Sequence, residues 1–285
     1  MPSLIDIRRR IRSVKNTQQI TKAMKMVSAA KLRRAQDRVI AARPYSALLG
    51  KVLANVAAAA AVDPDAGSNL LVAQRPPRKI LLVVVTSDKG LAGAFNSNLI
   101  KGAQRFIAEH GDAEVTLELI GRKGRDFFRK RAARISGDYI NLSAKPSYEQ
   151  TAPIAQKAME RYRNAEIDAV YLIYNAFKSM VAQQLTMTRV LPVEVPELAT
   201  PVDYIFEQPP VQMLDALLPR YVEMAFYRAL LESTAAEHAA RMTAMEAATS
   251  NAAEMIEKLT LYMNRVRQAS ITKEIIEVVS GAAAG

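Results

Sequence analysis

The sequence has no cysteine, no tryptophan and only two histidines in 285 residues. Without cysteine there are no disulfides, no thiolate zinc sites and no thiol nucleophile. With only His110 and His238 as imidazoles, a multi-histidine metal site within one chain is excluded. Both read as surface or capping residues, His110 closing a helix beside Gly111 and His238 set among Ala and Glu. Long apolar runs are also missing. Val52 to Val62 is interrupted by Asn55 and is too short to span a bilayer. The opening MPSLIDIRRR lacks the apolar core of a secretory signal. There is no G-x-x-x-x-G-K-[ST] and no G-x-S-x-G, so neither a P-loop nor a serine-hydrolase elbow is present. No catalytic, cofactor-binding or metal-binding residue is expected.

Acidic residues are scarce where basic ones are dense. The formal net charge is +11. Residues 1–51 carry 13 Lys+Arg against Asp6 and Asp37, residues 52–211 carry 19 against 17, and residues 212–285 carry 7 against 9. The first 51 residues therefore account for the whole imbalance, which calls for an acidic partner: nucleic acid, anionic lipid or an acidic protein surface. Nucleic acid is the weaker choice, because the basic segment has no aromatic before Tyr45 on which bases could stack.

Residues 3–60 read as one helix. They contain no glycine before Gly50, one proline, Pro44, and many good helix formers. Ser3 suits the cap, and Asp6 suits the positive end of the helix dipole. Slots spaced alternately by three and four run Leu4, Ile7, Ile11, Val14, Gln18, Thr21, Lys25, Ser28, Leu32, Ala35, Val39, Ala42, Ser46, Leu49, Leu53, Val56 and Ala60. Most are apolar, as in a coiled-coil seam. Four polar slots fall together from Gln18 to Ser28, where the apolar stripe is expected to shift to Ile20, Met24 and Val27. Such a helix is roughly 85 Å long, with a kink expected at Pro44.

Residues 63–78 read as a linker by their Asp, Pro and Gly content. From 79 to 208 the pattern alternates. Strands are expected over KILLVVVT, Glu114–Ile120, Asp138–Leu142, Ala169–Asn175 and Gln183–Leu191. Helices are expected over Phe95–Glu109, Arg122–Arg134 and Ser147–Asn164. This is the order of a small α/β domain with a mainly parallel sheet. The loop SDKGLAGAFN, with Ser87, Asp88, Lys89, Gly90 and Gly93, is the one glycine-bearing loop at a strand end. It does not match a dinucleotide fingerprint and reads as a structural strand–helix turn. Pro192, Pro196, Pro201, Pro209 and Pro210 then break regular structure. Val211 to Val279 forms a second long helix, roughly 100 Å, with Pro219 near its start. Its seam reads Met242, Met245, Thr249, Ala252, Ile256, Leu259, Met263 and Val266. Two such helices at opposite ends of a chain suit antiparallel pairing.

Both ends resemble a known family. IRRRIRSVKNTQQITKAMKMVSAAKLRRAQ, from Ile7 to Gln36, is similar to the N-terminal helix of γ subunits of F-type ATP synthases. RMTAMEAATSNAAEMIEKLTLYMNRVRQASITKEIIEVVSGAAAG resembles the C-terminal signature of that family, and SDKGLAGAFN its α/β domain. The resemblance implies an α/β plus long α fold: an antiparallel coiled coil of residues 1–60 and 210–285, a linker at 61–78, and an inserted Rossmann-like α/β domain at 79–208 near the foot. It implies a rotor shaft without an active site or cofactor, present in one copy per complex. Its implied partners are the α and β subunits of an α3β3 ring, the ε subunit, the c-ring, and δ in the same complex. The implied location is peripheral, on the cytoplasmic side of a bacterial inner membrane, with membrane contact through the c-ring. By the same resemblance Met24, Lys25, Arg241, Arg267, Gln268, Thr272, Glu274 and Glu277 couple shaft to ring. Arg33 and Arg34 belong to the basic surface over residues 8–38 that is expected to dock on acidic protein. The apolar tip from Ile275 to Ala284, with Val279, is expected to sit in the upper bearing of the ring.

Overall fold

The computed structural model describes residues 3–60, 69–131, 133–180, 182–194 and 206–283. Part of the expected linker, and Pro196 and Pro201, lie outside them. Helix α1 (Leu4–Ala60) begins on the expected cap. The Asp6 amide donates to Ser3 Oγ at 3.2 Å, and Asp6 Oδ2 accepts from the Ser3 amide at 3.3 Å. These two bonds satisfy donors that a helix start leaves open, and the Ser3 bonds hold the Asp6 carboxyl below its ordinary pKa. The helix runs through Pro44 without ending. Helix α5 (Pro210–Ala283) likewise runs through Pro219.

Between them lie β1 (Lys79–Val85), α2 (Phe95–Glu109), β2 (Glu114–Ile120), α3 (Arg122–Phe128), β3 (Ile135–Tyr139), α4 (Tyr148–Arg163), β4 (Ala169–Phe177) and β5 (Gln183–Leu191). The sheet order is β3-β2-β1-β4-β5, parallel except for β5 against β4. Two expected boundaries are corrected. Helix α3 stops at Phe128 rather than Arg134, because the Arg134 carbonyl already accepts the Leu117 amide at the start of the β2–β3 ladder. Strand β3 starts three residues early for the same reason, pairing Leu117 with Ile135 and Ile120 with Tyr139. It ends before Asn141, which takes a left-handed φ of 65° and donates its amide to Asp88.

The chain divides into two compact units. The first comprises residues 1–29 and 241–285, the second residues 30–240. In the first unit the two helices run antiparallel: Thr21 meets Thr249, and Lys25 meets Glu246. Burial follows the expected seam, with Ile7, Thr21, Ser28, Met245 and Ala252 buried.

In the second unit the core joins β1 and β4 to α4, to Leu53 of α1, and to Leu218, Val222, Phe226, Ala229 and Leu230 of α5. Residues 229–237 of α5 are buried on every side, with Glu232 and Glu237 among the Ala and Leu residues there. The polar residues there are satisfied: Glu232 pairs with Arg228, and Ser233 Oγ donates to the Val85 carbonyl at the end of β1.

Candidate functional site

Open parallel sheets place ligands beyond the carboxyl ends of their strands, where the strand order reverses. Here the reversal lies between β1 and β4, and α5 contacts the end of β1 through Ser233. The SDKGLAGAFN loop spends its polar groups within the chain. Asp88 accepts from the amides of Arg122 and Asn141, both at 3.0 Å, and from Ser143 Oγ at 3.1 Å. The Ser87 hydroxyl and amide both bond Asn96, and Thr86 Oγ1 accepts the Gly124 amide at 2.9 Å. The turn is a junction tying β1 to α2, α3 and the segment after β3. His110 Nδ1 lies 2.9 Å from the Phe106 carbonyl and its ring stacks on Phe106, which accounts for it as a capping residue. Among the described residues no cluster of three or more metal-ligating side chains occurs.

What remains is surface. Arg8, Arg9, Arg10, Arg12, Lys15, Lys22, Lys31, Arg33, Arg34 and Arg38 are all exposed on α1, and none has an ion-pair partner among the described residues. Lys25 is the exception. It lies in the seam and bonds Glu246 at 2.6 Å. Each exposed charge contributes on the order of 1 kcal/mol or less to a contact, so the surface acts by number.

The expected shift of the apolar stripe does not occur. Gln18, Thr21, Lys25 and Ser28 stay in the seam, while Ile20 and Val27 are 60% and 56% exposed and Met24 is half-buried. Two of the polar seam positions find partners across it: Lys25 bonds Glu246, and Thr21 Oγ1 lies 2.8 Å from Thr249 Oγ1, which in turn donates to the Met245 carbonyl. The apolar residues that the seam leaves out form a small exposed stripe beside the basic face.

Arg241 is only 8% exposed, so it is buried within this chain rather than a solvated surface residue. Arg267, Gln268, Thr272, Glu274 and Glu277 are exposed on α5. Their contacts are local: Thr272 Oγ1 donates to the Gln268 carbonyl, and Lys273 pairs with Glu277 at 3.4 Å. Every residue from Ile271 to Ser280 is exposed, with Ile275 at 57% and Val279 at 63%. The cause is visible in the register. Thr21 opposite Thr249 places Leu4, where α1 begins, near residue 266, so α5 continues without a helical partner. Ala284 lies outside the described residues.

Sequence reasoning missed one hydrogen-bonded cluster around the buried Glu223 in the second unit. Glu223 of α5 accepts from Tyr148 Oη and, at 2.7 Å, from Gln156 Nε2, both on α4. Nothing in a single sequence pairs residues so far apart.

The chain matches the family model described as ATP synthase over residues 3–284. It is 75% identical over 284 residues to the ATP synthase gamma chain of Solibacter usitatus, covering 100% of this chain and 99% of that one. It is 52% identical to the ATP synthase gamma chain of an Anaeromyxobacter species, again over 100% and 99%. Among solved structures it resembles a chain of the central stalk and c-ring of Tetrahymena thermophila mitochondrial ATP synthase, at 28% identity and a TM-score of 0.63, covering 80% of this chain and 99% of that one. A chain of Euglena gracilis mitochondrial ATP synthase matches at a TM-score of 0.69 and 18% identity over 99% and 94%, a likeness of fold.

Proposed function

The chain belongs to the ATP synthase family, and on that premise we propose that it is the central shaft coupling rotation to ATP synthesis or hydrolysis at other subunits. It has no catalytic site and no cofactor of its own in this reading. The observation that carries it is the end of α5: an apolar helical stripe of Ile271, Ile275, Val278 and Val279, exposed because α1 stops short of it. An apolar helix end without cover in its own chain suits a sleeve supplied by a partner.

The partners are the α3β3 ring around the shaft, the ε subunit and c-ring at the foot, and δ in the same complex. One copy would be present per complex, peripheral on the cytoplasmic side of a bacterial inner membrane. No helix among the described residues is long and apolar enough to cross a membrane. The shaft would be residues 1–60 and 210–285, with 61–78 linking to an α/β domain, 79–208, near the foot. Met24, Lys25, Arg33, Arg34, Arg241, Arg267, Gln268, Thr272, Glu274 and Glu277 would carry coupling contacts, with Ile275 and Val279 in the bearing. Arg241, only 8% exposed in this chain, would contribute to coupling by holding the shaft. Rotation requires contacts to be remade at several angles, and dispersed exposed cations suit that better than one deep pocket. Coupling then needs contacts that differ between ring states. A nucleic-acid role has no support from the relatives.

Purification of the tagged chain from its host tests the reading. Co-isolated α and β chains with ATPase activity are expected, and nucleic acid released by salt in their place would overturn it. In the same preparation, Arg33→Glu with Arg34→Glu is expected to weaken assembly or coupling. Unchanged assembly and coupling would show those charges to be merely solvated.

A further inference from the structure

We propose that Arg43, Lys178 and Arg228 form a binding site for a phosphate-class oxyanion in the second unit. The three cations come from three elements: α1, the turn after β4, and α5. They line a cavity of about 680 Å³, together with Ser46, Gln184 and the Glu232 carboxylate. Tertiary structure alone assembles this set, since the residues are scattered over almost two hundred positions.

The partners within the chain do not neutralise it. Arg228 Nε donates to Glu232 Oε1 at 2.9 Å. That bond fixes the guanidinium against a buried carboxylate and leaves its two terminal nitrogens as donors. Arg43 and Lys178 have no ion-pair partner among the described residues. Three cations against one carboxylate leave an excess that a dianion balances. A second observation points the same way. Ser46 Oγ is buried and has no hydrogen-bond partner, an uncommon state for a hydroxyl beside a polar cavity. Gln184 adds an amide donor. Guanidinium and ammonium donors that three separate elements bring to one cavity match the tetrahedral oxygens of phosphate better than the plane of one carboxylate. Bound there, an oxyanion would tie the β4–β5 turn to both long helices. The phosphate could be free or carried by a nucleotide.

The test uses the purified full-length chain, which lacks the nucleotide sites of any other subunit. Acetylation of Lys178 is followed by peptide mass spectrometry at constant ionic strength in chloride, inorganic phosphate or ADP. About fivefold slower labelling is expected at about 10 mM phosphate, as 1 + [L]/Kd gives for a Kd of about 2.5 mM, with Lys101 on α2 unaffected. Arg43→Gln, at an exposed position, is expected to abolish the protection, whereas Arg163→Gln, the same charge change on α4, keeps it. Protection by phosphate identifies the free ion as sufficient, and protection by ADP alone identifies a nucleotide-borne phosphate. Protection equal in chloride, protection by neither phosphate nor ADP, or protection that survives Arg43→Gln would overturn the proposal.

Discussion

At the scale of single residues, the buried carboxylates of the second unit set the sharpest expectations. Glu223 accepts hydrogen bonds from Tyr148 and Gln156, and the Tyr148 hydrogen bond, with burial and the Glu223 charge behind it, pushes the phenol up to about 12. The sign follows from the neutral phenol being the bound form. Its contribution to stability is full below the ordinary tyrosine value near 10 and is lost as pH rises through about 12. Glu223→Gln should return the Tyr148 titration toward 10, read by ultraviolet absorbance, and cost about 1–3 kcal/mol of stability through the imperfectly paired buried amide. Glu118 follows the same sign in a lower pH window. It is buried on β2, with Tyr139 Oη donating to Oε1 at 2.8 Å while Oε2 lacks a partner, and burial raises its pKa. A carboxyl whose folded pKa is raised favours folding while protonated, so stability is lost as pH rises from about 4.5 through the folded value. Glu118→Gln should remove that loss, seen as a flatter stability profile than wild type on the alkaline side of pH 4.5.

At the scale of elements, close approach and polar seams decide. Gly121 opens α3 with φ of 96°, and a Cβ there would lie 2.2 Å from the Thr86 carbonyl oxygen. Gly121→Ala should therefore cost about 3 kcal/mol or more, combining backbone strain with a clash against main chain that cannot swing aside. Gly102→Ala makes a useful contrast. Its nearest contact would be Leu185 Cδ2 at 2.8 Å, the far end of a side chain that can rotate, so a smaller loss is expected in the same denaturant titration. In the coiled coil, Thr21 and Thr249 share a hydrogen bond across the seam. Thr21→Val or Thr249→Val alone should cost about 1 kcal/mol, because a half-buried hydroxyl loses its partner, whereas the double replacement should recover most of that loss. Amide exchange over residues 15–30 in the single and double variants reads the coupling directly.

At the scale of the whole molecule, charge and the uncovered helix end dominate. The basic excess sits almost wholly on α1, where among the described residues only Lys25 has an ion-pair partner, so assembly with acidic partners should weaken as salt rises toward 1 M, where the screening length is only about 3 Å. The tip should respond differently. Replacing Ile275 and Val279 together with Asp should impair assembly and ATP-driven proton pumping more than deletion of residues 280–285, since the double variant places unpaired charge in an apolar sleeve. A double Asp variant that assembles and pumps like wild type would show the tip to be solvated in the complex.

The sequence by itself determined what is local or compositional. The absence of thiols, the shortage of imidazoles and the missing phosphate-loop motif removed whole classes of chemistry. The three–four spacing of α1 and α5 marked their seams, Ser3 and Asp6 marked a helix start, and the aliphatic run of β1 marked a buried strand, because each signal repeats within a few residues. Tertiary structure decided the rest. Gln18, Thr21, Lys25 and Ser28 remain in the seam, where Thr21 and Lys25 find partners on α5, leaving Ile20 and Val27 outside. Helix α3 stops at Phe128 because the chain must return in time to pair Ile135 with Leu117. Arg241 is buried despite its charge, Glu223 joins helices far apart in the chain, and Arg43, Lys178 and Arg228 line one cavity. These outcomes depend on contacts between distant residues, whose geometry no local period encodes.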